Sequence, residues 1–331
     1  MERFILDACT FADGEFEGCS QEVMNSGLNA FFLTIPNSRT GFKEAARSIA
    51  SIHYLTDNQD LKLSVAKTYE DLLAAKEKSN ISIILWFQDP HPVENKLELL
   101  KAFYLMGLRV CQLTYNKANY LGTGCTETID SGLTDFGKKA VREMNRLGIV
   151  IDASHSSKKT AMDAIWESTD PVIFSHANCK SLTDNPRNKT DEEIKLVAEK
   201  GGVIGLTTWG PLCWKGLKNE QPVLKDFLDH VEYIVDLVGI DFVGFGSDKT
   251  LDNKPDMGGT HAQSLLYPSV VAEYDKRVGT KPEVRHALGF KGVQEIENVI
   301  EGLAKRGYKE KDINKFLGGN FLRVIKQVWR D

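Results

Sequence analysis

Bulky apolar residues recur along this chain in short, dense runs separated by longer stretches of helical period. The runs are "FILDA" (4–8), "NAFFLTI" (29–35), "ISIILWF" (81–87), "LRVCQLT" (108–114), "IVIDAS" (149–154), "PVIFS" (171–175), "GVIGLTT" (202–208) and "FVGFGS" (242–247). Polar and apolar positions do not alternate cleanly within them, so both faces of each strand are expected to be covered, as in a parallel sheet. Between the runs, "DFGKKAVREMNRLG" (135–148) places Phe136, Val141, Met144 and Leu147 on one side and stops at Gly148. "TDEEIKLVAEKGG" (190–202) opens with Thr190 and Glu193 at capping-box spacing and ends at Gly201. "PVLKDFLDHVEYIVDLVG" (222–239) also closes on a glycine, and the tail from about 290 to 330 reads as helical throughout.

Strand and helix in alternation imply right-handed crossovers and one parallel sheet. Eight such strands suit a closed (β/α)8 TIM barrel with extra C-terminal helices. The alternative is an open doubly wound sheet, but no G-x-G-x-x-G follows the first strand, and "GTGC" (122–125) does not lead into a helix start. With no shift in composition and no internal repeat, residues 1–331 are expected to form a single barrel domain, with the helices of about 290–330 packed on it. The Gly-, Pro- and Asp-rich stretch 248–268 is expected to loop over the barrel mouth.

Composition narrows the function classes. The chain of 331 residues, 42% hydrophobic, is long enough to bury a substantial core, and its net charge of −5 argues against a general nucleic-acid binder. No window approaches 18 apolar residues, so no membrane span is expected. Six cysteines, at 9, 19, 111, 125, 179 and 213, form no C-x-x-C pair, which points to reduced thiols. The opening "MERFILDACT" lacks a basic segment followed by a long apolar stretch, so no secretory leader is expected and the location is read as cytoplasmic. The glycosylation-like triplets at Asn80 and Asn188 are then chance matches.

In a barrel the chemistry sits at the C-terminal ends of the strands. Those positions hold Cys9, Gln88 with Asp89, Tyr115 with Asn116, His155, His176, Trp209 and Asp248. Only seven histidines exist, and two of them occupy neighbouring tips in "DASH" and "FSH". Neutral imidazole is a common zinc ligand, and two adjacent tips can point both rings at one ion.

"GLTDFGKKAVREMNRLGIVIDASHSSKKT", "PVIFSHANCKSLTDNPRN", "VGFGSD" and the terminal "FLGGNFLRV" together resemble the membrane (renal) dipeptidase family, a branch of the metal-dependent amidohydrolase barrels. The resemblance is concentrated between residues 100 and 248, recurs at 316–324 and is faint before 80. It implies an amidohydrolase-like barrel, a two-zinc centre, dipeptide substrates and a homodimer. It also implies that His155 and His176 hold one metal, that Arg187 grips the substrate carboxylate, and that Asp248 ligates metal and handles the proton of the attacking water.

The pattern then breaks. Where the family ends its first strand in His-x-Asp, this chain has Cys9 and Phe11; Gln88 stands at the bridging glutamate, and Tyr115 replaces the substrate-binding histidine of "LTH". Two zinc ions would carry four positive charges against one surviving carboxylate, Asp248, and would repel strongly in a low-dielectric pocket. The expectation is therefore a metallo-amidohydrolase with one zinc ion, another divalent metal, or none. Its metal set is His155, His176, Gln88 and Asp248, with Cys9 as a further candidate. Asp248 and Tyr115 are expected to be catalytic, while Arg187, Tyr115 and Asn116 would bind a small substrate such as a dipeptide. Asp89, His91, Glu94 and His261 are weaker ligand candidates. Two alternatives stand beside this reading. One is different small-molecule chemistry on the same barrel, for instance on an amine or betaine held by Trp86, Tyr115, Tyr120 and Trp209. The other is a metal-free, non-catalytic binding protein.

Overall fold

The computed structural model describes residues 3–12, 23–35, 40–216, 219–251 and 263–330. His261, Cys19 and most of the expected mouth loop lie outside the described residues.

Among the described residues ten parallel strands form the sheet: β1 (Leu6–Phe11), β2 (Ala30–Thr34), β3 (Leu63–Val65), β4 (Ile81–Phe87), β5 (Leu108–Gln112), β6 (Val150–Asp152), β7 (Ile173–Phe174), β8 (Val203–Leu206), β9 (Val243–Phe245) and β10 (Lys249–Thr250). Eight of the staves are those the apolar runs predict. The last is broken: β9 pairs with β8 on one side, and its continuation β10 pairs with β1 on the other, Thr10 facing Lys249 and Phe11 facing Thr250. The circuit thereby returns to its start as a (β/α)8 barrel. The short β3, which the hydrophobic pattern does not single out, pairs with the first half of β4. The first strand also runs farther than its apolar core suggests, carrying Cys9 to Phe11 in extended backbone.

Two-residue alternation divides each strand between two cores. In β4, Ile83, Leu85 and Phe87 pack outward under the helices, whereas Ile84 and Trp86 point into the barrel. The barrel interior also takes Phe32, Val110, Val150, Ile173 and Val203, and is closed from below by Phe321, Val324 and Val328 of the helix Asn320–Val328. Phe321 lies so near β8 and β9 that a Cβ at Gly244 would fall 2.5 Å from its ring. Above this apolar floor the inward positions turn polar: Gln112, Asp152, Ser154, Ser175 and Thr207 are all fully buried, as are Asp7 and Ser247, which hydrogen-bond each other across the β1–β9 join. Trp86, expected at the mouth, is instead wholly buried in the interior, because its position in β4 has the same parity as Ile84.

The helices begin and end where their signals stand. Asp135–Leu147 starts at Thr134, whose side chain accepts from Gly137 N, and stops at Gly148 with φ 79°. Asp191–Glu199 carries the reciprocal Thr190–Glu193 capping box. Asn188 is buried and its amide donates to the Thr183 and Leu212 carbonyls, so it is no glycosylation acceptor in the folded chain.

Candidate active site

The strand tips bring His155 and His176 together with Nε2 atoms 2.8 Å apart. Each ring is held from behind. His155 Nδ1 lies 2.7 Å from Asn116 Oδ1, an oxygen also 3.3 Å from the Cys125 thiol, so on this assignment Nδ1 carries the proton. His176 Nδ1 lies 2.7 Å from Ser175 Oγ, whose hydroxyl donates to Asp152 Oδ2 at 2.5 Å. The other Asp152 oxygen accepts from Ser154 N, Ser154 Oγ and Ser175 N. With both Nδ1 atoms donating, both Nε2 atoms present lone pairs to the same point. Burial, then the charge of Arg187, pushes both imidazoles well below the ordinary histidine range and favours neutral rings. Two converging lone pairs on neutral rings fit a shared cation.

Beside them stands a second convergence. The break between β9 and β10 places Asp248 in the left-handed region, φ 58°, with its N–H donating to the Cys9 carbonyl at 3.0 Å. Aspartate is among the few residues that adopt this conformation readily. The Cys9 thiol donates to Asp248 Oδ1 at 3.4 Å. Ligand atoms of Cys9, His176 and Asp248 all lie within 4.8 Å of one another. Burial, then the negative charges of Asp248 and Asp7, raises the Cys9 thiol well above its usual value.

The remaining expected residues separate by position. Gln88 reaches the centre, its side-chain amide nitrogen 3.4 Å from His176 Nε2, while its backbone carbonyl accepts from the Gln112 side chain. Tyr115 stacks on the His155 ring, centroids 4.3 Å apart, and its phenol oxygen accepts from Gln263 at 2.9 Å. Asn116 is buried behind His155, where it orients the ring. Arg187 is also buried and donates to the Ser154 and His176 carbonyls, bracing the two histidine-bearing tips. Asp89 and His91 engage each other, at 3.1 Å to the His91 amide and 3.3 Å to its ring, rather than either histidine of the centre. Trp209 and Tyr115 pack with the buried Tyr267, giving the mouth an aromatic side.

Several residues that matter here escape the strand-tip reading. Asp152 and Ser175 orient His176 from within the barrel. Asp7 accepts from Cys9 N and Ser247 N, while its Oδ2 is buried without a hydrogen bond. Burial outweighs those bonds and raises its carboxyl to about 7. For Asp152 and Ser175 the sequence signal is a polar residue at an inward position of an otherwise apolar strand.

The residues therefore fit one cation well and two poorly. Phe11 and Gln88 offer no negative charge where a second ion would need it.

The membrane dipeptidase family, peptidase family M19, matches residues 19–289 and 281–330. Dipeptidase verJ of Clonostachys rogersoniana is 28% identical over 284 residues, 85% of this chain and 64% of its own. Dipeptidase 3 of Mus musculus is 30% identical over 255 residues, 75% of this chain and 45% of its own. The chain thus spans between about half and two thirds of the length of these relatives. An amidohydrolase from Pseudomonas aeruginosa superposes with a TM-score of 0.86 at 33% identity, covering 99% of this chain and 97% of that one. A Rhodobacter sphaeroides metallo peptidase, solved with a phosphinate mimic of L-Ala-D-Ala, superposes at 0.77 with 18% identity over 99% of each chain, a likeness of fold. The family match covers most of the sequence, and the chain belongs to the membrane dipeptidase family, peptidase family M19.

Proposed function

We propose that this chain, acting as one domain over 1–331, is a metal-dependent hydrolase of dipeptides or similarly small, carboxylate-bearing amides. The observation that carries the reading is the 2.8 Å approach of the His155 and His176 Nε2 atoms, with His176 beside Asp248. His176 and Asp248, with His155 beside them, would hold one divalent ion, zinc by ligand type, with Gln88 as a neutral neighbour. When bound, such an ion supplies a Lewis acid and lowers the pKa of a water molecule.

The chain's own groups do the rest. Asn116 and the Ser175–Asp152 pair keep the two Nε2 lone pairs facing the mouth. Asp248 takes the proton of the attacking water and returns it to the leaving amine. Tyr115 accepts its hydrogen bond from Gln263, so its own O–H serves as the donor to the developing oxyanion. Arg187 spends two of its N–H groups on backbone carbonyls; its charge and remaining donors would meet a substrate carboxylate at the back of the pocket. The aromatic side formed by Tyr115, Tyr267 and Trp209 suits a small side chain or a methylated amine, which keeps an amine or betaine substrate in the test set.

The reading extends to a cytoplasmic setting, supported by the free thiols at 9, 111, 125, 179 and 213, and to a homodimer. No helix among the described residues is long and apolar enough to cross a membrane. The test is a panel of dipeptides, with amine release measured after loading zinc, cobalt or manganese. Hydrolysis lost in His155→Ala and His176→Ala supports the proposal. No turnover with any metal, with those variants changing stability alone, would favour a metal-free binding protein.

A further inference from the structure

We propose that Cys9, His176 and Asp248 bind a single thiolate-ligated transition-metal ion, with His155 at its side. This rests on the reading of the pocket as a metal centre but assigns it a composition that the two-zinc pattern lacks.

Three observations carry it. The first is convergence. The ligand atoms of the three residues lie within 4.8 Å of one another, and the Cys9 sulfur is already 3.4 Å from Asp248 Oδ1. Metal–ligand distances of about 2.0–2.3 Å place tetrahedral ligands roughly 3.5 Å apart, so small side-chain movements complete the set.

The second is backbone construction. Cys9 and Asp248 come from opposite ends of the barrel circuit. They are tied together by the Asp248 N–H to the Cys9 carbonyl and by the pairing of Thr10 with Lys249. Asp7 reinforces the join by accepting from both Cys9 N and Ser247 N.

The third is charge. A thiolate and a carboxylate neutralise one dication, and His176 adds a neutral nitrogen. Cys9 therefore replaces the negative charge lost where Gln88 and Phe11 stand. Binding the ion displaces the thiol proton to solvent, since a coordinating thiol is deprotonated outright. Sulfur and imidazole ligands favour zinc and cobalt over magnesium, calcium or manganese. The fourth position remains for water or substrate.

Cobalt(II) titration of the metal-stripped full chain tests this without reference to activity. The expected result is saturation at one equivalent with an intense near-ultraviolet sulfur-to-cobalt band. Cys9→Ser should abolish that band and weaken cobalt binding by at least roughly 100-fold, the upper end of what losing a mere partner of a ligand costs. Cys179→Ser should leave it intact, because that thiol pairs with His230 away from the mouth. X-ray absorption of the zinc-loaded unmodified chain gives an independent reading should Cys9→Ser fail to fold: one sulfur at about 2.3 Å is expected. Two equivalents without the band, a shell of nitrogen and oxygen alone, or no cobalt bound would each overturn the assignment. The band at one equivalent supports it even if no dipeptide is cleaved, in which case the hydrolase reading fails by itself.

Discussion

Replacing Ser175 by alanine removes one oxygen that serves three buried partners: Asp152 Oδ2 at 2.5 Å, His176 Nδ1 at 2.7 Å and Ser154 Oγ at 3.0 Å. Asp152 keeps the three donors to its other oxygen, but Oδ2 loses its hydroxyl donor, and the His176 proton is left facing a methyl group. Orphaning a buried polar group costs about 1–3 kcal/mol, so the two atoms together predict a loss of roughly 2–6 kcal/mol. A chain of this length has an unfolding entropy near 0.7 kcal/mol per kelvin, which converts the loss to a fall in Tm of about 3–9 K. The same change frees the His176 ring to rotate and should weaken zinc or cobalt binding by about 10–100-fold. Thermal unfolding of the metal-free chain and chelator-competition titration of the loaded one measure the two effects separately. A Tm within about 1 K of the unmodified chain, with metal affinity within about twofold, would refute the idea that Asp152 orients His176 through Ser175.

His230 is buried against the Cys179 sulfur at 2.9 Å, and burial lowers its folded value from 6.5 to about 3. Between these values the unfolded chain binds the extra proton, so stability is fully present above about pH 6.5 and falls as the pH drops towards 3. The loss is on the order of 5 kcal/mol. Urea unfolding from pH 7.5 to 4 should show this slope, flattened in His230→Gln; equal slopes would contradict it. A Cβ at Gly205 would stand 2.0 Å from the Ser175 carbonyl oxygen, so Gly205→Ala should destabilise by more than about 3 kcal/mol or abolish soluble expression, as denaturation curves would reveal. Tyr115→Phe should lower kcat by about 100-fold with little change in KM, and an unchanged kcat would remove Tyr115 from the oxyanion role. Gln88→Glu sets a carboxylate about where the amide now lies 3.4 Å from His176, and calorimetry should find tighter divalent-metal binding.

Local chemistry in the sequence determined much of this molecule. Dense apolar runs marked eight staves because strands covered on both faces cannot afford polar residues on either. Thr190, Glu193 and Gly148 marked helix ends because caps act within one turn. His155 and His176 were legible as neighbours because consecutive barrel strands lie side by side, and the resemblance of the flanking motifs named the family.

What depended on distant pairing was not legible. The join of Asp248 to Cys9 spans almost the whole barrel and exists only once β10 closes on β1. The buried polar layer of Gln112, Asp152 and Ser175 follows from which face of each strand turns inward, a choice set by the packing of the complete ring. Trp86 went to the interior for the same reason. That Arg187 and Asn116 also brace the histidine tips was not legible either, since a loop residue's partners are fixed by where the loop folds back. The residue types fixed which atoms could bind a cation; the closure of the barrel decided which of them meet.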